Sequence, residues 1–235
     1  MSLAVYTAGN INYVWSTNED KEISYTRYIY EGDALLYTLT GDSRTTVDAV
    51  ILTLPTDIDA LGDGDIKTYL SQPSMSLAVY TAGNINYVWS TNEDKEISYT
   101  RYIYVGDALL YTLTGESRTT VDAVILTLPS DIGALGDGDI KTYLSQPSMS
   151  LAVYFEGNID YVWSTNEDNE ISYTRYMYEG DTLLYTLTGD SRTTVDAVIL
   201  TLPSDIGALG DGDIKTYLSQ PSMSLAVYFE GNIDY

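Results

Sequence analysis

The hexapeptide MSLAVY begins at Met1, Met75, Met149 and Met223, so the chain is a tandem array with a period of 74 residues. This repetition constrains the fold more than any motif, because every copy must fold alike and meet its neighbours through equivalent surfaces. Copies span residues 1–74, 75–148 and 149–222, and residues 223–235 begin a fourth. The phase is open, since 14–87, 88–161 and 162–235 also make three full copies. Either way one strand-sized piece is left over. It is a remnant of a longer array, or a strand that pairs with the open sheet edge of another chain. The copies differ at ten of 74 positions, among them Asp59 against Gly133 and Gly207, and Glu31 against Val105. Almost all of these exchanges need one nucleotide change, the pattern of tandem duplication followed by drift. A designed symmetric array would more readily carry identical copies, and that reading stays open.

Alternation with period two runs through each copy, which is the signature of half-buried strands. Leu3 and Val5 share a face, as do Ile11, Tyr13 and Trp15, then Ile23, Tyr25 and Ile29, then Leu35, Tyr37 and Leu39. Val47, Ala49 and Ile51 alternate with Val50, Leu52 and Leu54, and Ile66 to Ser71 reads as a last strand. Tyr, Val, Ile and Thr fill these runs and suit a pleated surface. Gly9-Asn10, Gly32-Asp33, Gly41-Asp42-Ser43 and Gly62-Asp63-Gly64 separate them as turns. Pro55 to Leu61 reads as one helical turn with Leu61 plugged into the core, and no longer helix is expected. Strands at this rhythm predict an all-β fold: three tandem units, each a small β-sandwich. A closed propeller-like ring of two blades per unit is the alternative, although the two halves of a unit do not align.

Composition removes whole classes of function. There is no Cys and no His, which excludes disulfides, Cys/His metal sites and every mechanism built on a thiol or an imidazole. With 34 acidic and 11 basic residues the formal charge is −23, the wrong sign for nucleic acid or an anionic membrane surface. No apolar run is long enough for a membrane-spanning helix, and the N-terminus has no signal-peptide pattern. Carboxylates stand in every turn without singling out a catalytic pair, so no enzyme activity is expected.

Gly32-Asp33-Ala34-Leu35-Leu36-Tyr37-Thr38-Leu39-Thr40-Gly41 leads into Thr45-Thr46-Val47, Leu52-Thr53-Leu54-Pro55 and Ile58-Asp59-Ala60-Leu61-Gly62-Asp63-Gly64-Asp65-Ile66. Over about half of each unit this resembles the tandem immunoglobulin-like repeats of large bacterial surface adhesins. Those repeats follow a G-D strand with a second strand, an L-x-x-L-x-D-G turn and a further strand. The pattern departs where the family places an A-G-N turn: Ala82-Gly83-Asn84 comes one hairpin later, and the third copy has Glu156-Gly157-Asn158. The resemblance implies immunoglobulin-like sandwiches on the outside of a cell.

Three sets of residues offer binding chemistry, each with a plainer alternative. Asp63 and Asp65, Asp137 and Asp139, and Asp211 and Asp213 present paired carboxylates to a hard cation such as calcium. Their plainer reading is a D-G hairpin turn. Trp15, Trp89 and Trp163 would stack on sugar rings if exposed, or anchor the core if buried. Arg27, Arg101 and Arg175, set among tyrosines, would bind a ligand carboxylate or bridge to an acid on the sheet surface.

The leading functional expectation is a non-enzymatic extracellular spacer or adhesin stalk whose repetition sets its reach. A multivalent glycan-binding protein and a filament subunit that exchanges its terminal strand are the alternatives. No cofactor is expected beyond calcium, and the expected partners are a glycan or another copy of the chain.

Overall fold

The computed structural model describes residues 1–18, 20–203, 206, 209–220, 222–229 and 232–233. The first copy opens with four strands: β1 (Ser2–Thr7), β2 (Asn10–Thr17), β3 (Ile23–Glu31) and β4 (Ala34–Gly41). Helix α1 (Arg44–Ile51), a single 3-10 turn at Ile58–Ala60 and helix α2 (Asp63–Tyr69) complete it. The second copy repeats the plan with β5 (Ser76–Thr81), β6 (Asn84–Thr91), β7 (Ile97–Val105), β8 (Ala108–Gly115), α3 (Arg118–Thr127), a 3-10 turn at Ile132–Ala134 and α4 (Asp137–Tyr143). The third has β9 (Ser150–Phe155), β10 (Asn158–Thr165), β11 (Ile171–Glu179), β12 (Thr182–Gly189), α5 (Arg192–Ile199) and α6 (Asp211–Tyr217). The fourth begins with β13 (Ser224–Phe229) and β14 (Asn232–Ile233).

The chain divides into two compact units, Met1–Ile103 with Thr114–Ile125, and Tyr104–Leu113 with Leu126–Tyr235. In the first, β1 to β7 pair in chain order, every pair antiparallel. In the second, β9 to β14 do the same. Of the all-β expectation the coarser part holds, a mostly β fold of repeated antiparallel hairpins, and so do its first four strands per copy. A two-residue loop, Ala8-Gly9, links β1 to β2 with positive φ at both residues (51° and 91°). That is the twist-matched hairpin geometry, and it explains glycine at the second position.

Three expectations need correction. The strands of a copy belong to one sheet, on which α1 packs against β3 and β4, and no second sheet faces them among the described residues. Strand β1 lies at the sheet's edge with β2 beside it, so the strands do not close into a ring. The runs read as a fifth and a sixth strand are helices. Val47, Val50, Ile51 and Leu54 satisfy the i, i+3, i+4, i+7 spacing as well as the alternating one, and these four are buried or half-buried while Ala49 and Leu52 are exposed. Likewise Ile66 and Leu70, one helical turn apart, are both buried. Gly41 marks the descent of α1 onto the sheet, since a Cβ there would stand 3.1 Å from Cγ2 of Val47. The helical turn expected after Pro55 is present as Ile58–Ala60, with Ile58 and Leu61 buried.

Candidate repeat-docking interface

The residues that converge most tightly lie where one copy meets the next. Asp63, the first residue of α2, accepts two hydrogen bonds from the following copy. The Ser117 hydroxyl donates to its Oδ2 and the Arg118 backbone N–H to its Oδ1, both at 2.8 Å. Asp137 receives the same pair from Ser191 and Arg192, again at 2.8 Å. A helix N-terminus exposes unpaired N–H groups and a partial positive charge, so a carboxylate placed there is favoured twice. The same serine hydroxyl then accepts, at longer range, from Thr120 N–H (3.4 Å) or Thr194 N–H (3.5 Å). Ser43 of the first copy makes no such side-chain cap. The serine cap thus accompanies a preceding aspartate.

The arginine that opens each helix locks the same junction. Arg118 donates from Nη1 to the carbonyls of Asp59 (3.0 Å) and Leu61 (3.2 Å), and Arg192 to those of Gly133 (2.8 Å) and Leu135 (3.2 Å). Each arginine also pairs through Nε with the aspartate one turn on, Asp122 or Asp196, at 3.3 Å. The guanidinium lies over Tyr87 (5.0 Å to the ring centroid) or Tyr161 (5.2 Å), a cation–π stack. The hydroxyls of Tyr99 and Tyr173 donate to the same two aspartates at 3.2 and 3.3 Å. In the first copy Arg44, Asp48, Tyr13 and Tyr25 keep this arrangement, and the Arg44 side chain is 53% exposed against 20% for Arg118 and 24% for Arg192.

Burial holds the junction tyrosines in their neutral form and pushes Tyr99 and Tyr173 up to about 12. Tyr87 is raised further, by burial first and then by its hydrogen bond to Asp59. An unfolded tyrosine ionises near 10. A raised folded pKa means that this stabilisation is complete below pH 10 and is lost as pH rises from 10 through about 12. Thermal midpoints followed from pH 9 to 12 are expected to fall across that window, with tyrosinate absorbance rising together with unfolding. Independent titration of all 23 tyrosines near 10 in the folded chain would contradict this.

A natural difference between copies changes this junction. Tyr87 donates to the Asp59 carboxylate at 2.7 Å. At the next junction Gly133 replaces the aspartate, and the Tyr161 hydroxyl is buried with no hydrogen-bond partner. An unmet buried hydroxyl costs about 1–3 kcal/mol. Gly133→Asp is therefore expected to raise stability by about 1 kcal/mol, and Asp59→Gly to lower it by a similar amount, in urea titrations of the two variants.

The residues expected to bind ligands make the following contacts within the chain. Asp63, Asp65, Asp137 and Asp139 stand in the first turns of α2 and α4, where D-G-D reads as helix and not as a hairpin turn. Asp65, Asp139 and Asp213 each accept the backbone N–H of Gly62, Gly136 or Gly210 at 3.1 Å, capping their own helices. The Asp211 side chain lies outside the described residues. Among the described residues no three Asp or Glu side chains are grouped to hold a metal ion. Trp89 and Trp163 are buried and packed at a tilt against Tyr99 and Tyr173, with ring centroids 4.6 Å apart, which leaves no ring face open to a sugar. Trp15 makes the same tilted contact with Tyr25 but is half-buried.

Arg27 lies 3.8 Å from Asp48, and Arg175 pairs with Asp160 at 2.8 Å, where earlier copies have Asn12 and Asn86. Arg101 lies over Tyr87 at 6.0 Å. The Nε of Arg27, Arg101 and Arg175 is buried without a partner in each copy. Reading the sequence missed Arg44, Arg118 and Arg192, which carry the junction; the serine before each, at a helix N-cap position, is the signal that marks them.

No protein-family model matches the chain, and no curated protein is significantly similar to it. No helix among the described residues is long and apolar enough to cross a membrane.

Proposed function

We propose that the chain is a non-enzymatic structural repeat protein, an extracellular spacer or adhesin stalk whose reach is set by the number of its repeats. The observation that supports this most directly is the junction itself. The same aspartate, serine, arginine and tyrosines join copy one to copy two and copy two to copy three, at matching distances. Asp63, Asp137, Arg118, Arg192, Tyr87 and Tyr161 are engaged in these joints. Such a joint lets copies be added without redesign, the usual logic of repeat arrays. A formal charge of −23 keeps exposed faces soluble and like chains apart. The adhesin resemblance favours the cell exterior.

Labelling intact source cells with a membrane-impermeant amine reagent tests this reading. Lys21, Lys67, Lys95 and Lys141 are exposed, so a surface protein is expected to be labelled before lysis. Labelling only after lysis would overturn it.

A further inference from the structure

Both junctions place a tyrosine hydroxyl and an arginine where a carboxylate fits, and only the first copy supplies one. There Tyr87 is fully buried and its hydroxyl donates to Oδ1 of Asp59 at 2.7 Å. Asp59 is exposed, so its carboxylate reaches the buried hydroxyl from the solvent side. Arg118 stands beside it, donating to the Asp59 carbonyl at 3.0 Å with its guanidinium 5.0 Å from the Tyr87 ring centroid. At the second junction these groups recur without the acid. Arg192 donates to the Gly133 carbonyl at 2.8 Å and lies 5.2 Å from the Tyr161 ring centroid. Tyr161 is 3% exposed, and its hydroxyl has no hydrogen-bond partner among the described residues. Such a buried donor costs free energy until an acceptor meets it. Gly133 is exposed, so an acceptor from solution can arrive by the side from which Asp59 reaches Tyr87.

We propose that the junction at Gly133 binds a small monocarboxylate, whose oxygen accepts from the Tyr161 hydroxyl as Asp59 accepts from Tyr87. The ligand class is set by the chain's own stand-in, the Asp59 carboxylate held between an equivalent tyrosine and an equivalent arginine. Formate is the best fit. A ligand that is not bonded to Gly133 must keep van der Waals distance from its Cα, which leaves less room than an aspartate side chain takes. Four charged groups act on the Tyr161 hydroxyl: Arg192 and Arg175 favour an anion beside it, and Asp160 and Asp131 oppose one. Asp160 is already paired with Arg175 at 2.8 Å. Asp131 is exposed, and its Oδ1 lies 3.3 Å from the point where a Cβ on Gly133 would stand. It is therefore the side chain that the ligand turns outward. A bound carboxylate tightens the second junction, while the first carries its own.

Urea unfolding in formate tests the inference, with chloride exchanged for formate at constant ionic strength so that screening is unchanged. So small a ligand binds no tighter than about millimolar. At about ten times its dissociation constant, formate is expected to lower the unfolding constant of the wild-type chain about tenfold. Tyr161→Phe removes the donor and Gly133→Asp supplies the chain's own carboxylate, so neither variant is expected to respond. Both substitutions are mild, since one deletes an unmet hydroxyl and the other copies the first junction. Asp131→Asn is expected to bind formate about two- to fivefold more tightly, because it lifts a like charge from an exposed site. Broadening of the formate proton resonance by the protein reads binding directly, and it is expected with the wild-type chain and absent with Tyr161→Phe. A wild-type chain that formate neither stabilises nor binds would overturn the inference, as would an equal response from Tyr161→Phe. None of these outcomes depends on where the protein works in the cell, so the spacer reading stands or falls separately.

Discussion

Trp89→Ala is expected to cost about 3–5 kcal/mol of unfolding free energy, while Trp15→Ala costs less than half as much. The two residues have the same sequence context, the same strand register opposite a leucine, and the same tilted ring contact with a tyrosine at 4.6 and 4.7 Å. They differ in what lies above them. Trp89 is covered and its cross-strand neighbour Leu77 is fully buried. Trp15 is half-buried beside an exposed Leu3 and lines an apolar cleft. Removing a buried indole leaves a cavity that the packed surroundings fill only in part, and the cost grows with the unfilled volume. At Trp15 solvent already reaches the site. Urea titrations of the two variants make the comparison, analysed with the two compact units allowed to melt separately. Acrylamide quenching supplies an independent check, since only the Trp15 contribution to the emission is expected to be strongly quenched. Equal losses at the two positions would remove the distinction between an open first copy and covered later ones.

Legibility in the sequence followed the range of the determinant. The strands β1 to β4 were readable because alternation of apolar and polar residues within eight or nine positions decides which face is buried. The stretch from Val47 to Leu54 was not, because its apolar residues fit both periods. Its β-branched residues lean towards strand, and packing against β3 and β4 resolved the tie towards helix. Asp63-Gly64-Asp65 misled for a related reason. D-G is a strong turn signal, yet acids at the start of a helix satisfy its free N–H groups equally well. The junction was the least legible. Asp63 and Ser117 stand 54 positions apart, and nothing local links them. Identity among copies hid the rest, since Leu3 and Leu77 share their sequence context and differ only in how far the fold buries them. The replacement of Asp59 by Gly133 was visible from the start, but its consequence at the Tyr161 hydroxyl needs the partner's position.

Asp63→Ala is expected to lower stability by about 2–3 kcal/mol, and Asp137→Ala by a similar amount, because each carboxylate completes a helix that belongs to the next copy. The substitution removes an acceptor from the Ser117 hydroxyl and the Arg118 N–H, and it takes negative charge from the positive end of α3. A hydrogen bond to a charged group contributes about 1.5–3 kcal/mol when fully buried. Partial exposure keeps the total below the sum of two such bonds. The loss is shared between copies, so a double-mutant cycle identifies it. Asp63→Ala and Ser117→Ala are expected to be non-additive by about 1 kcal/mol, since either change breaks the same relay. Asp63→Ala and Ser43→Ala are expected to be additive, because Ser43 begins a helix that no aspartate reaches. Hydrogen exchange gives the same contrast without mutation: the amides of Arg118 and Arg192 are expected to be protected and that of Arg44 to exchange fast. In Asp63→Ala, protection is expected to drop at Arg118 and to persist at Arg192. Retained protection at Arg118 in that variant would show that α3 holds its first turn unaided, and the junction would then be a contact between copies that does not stabilise them.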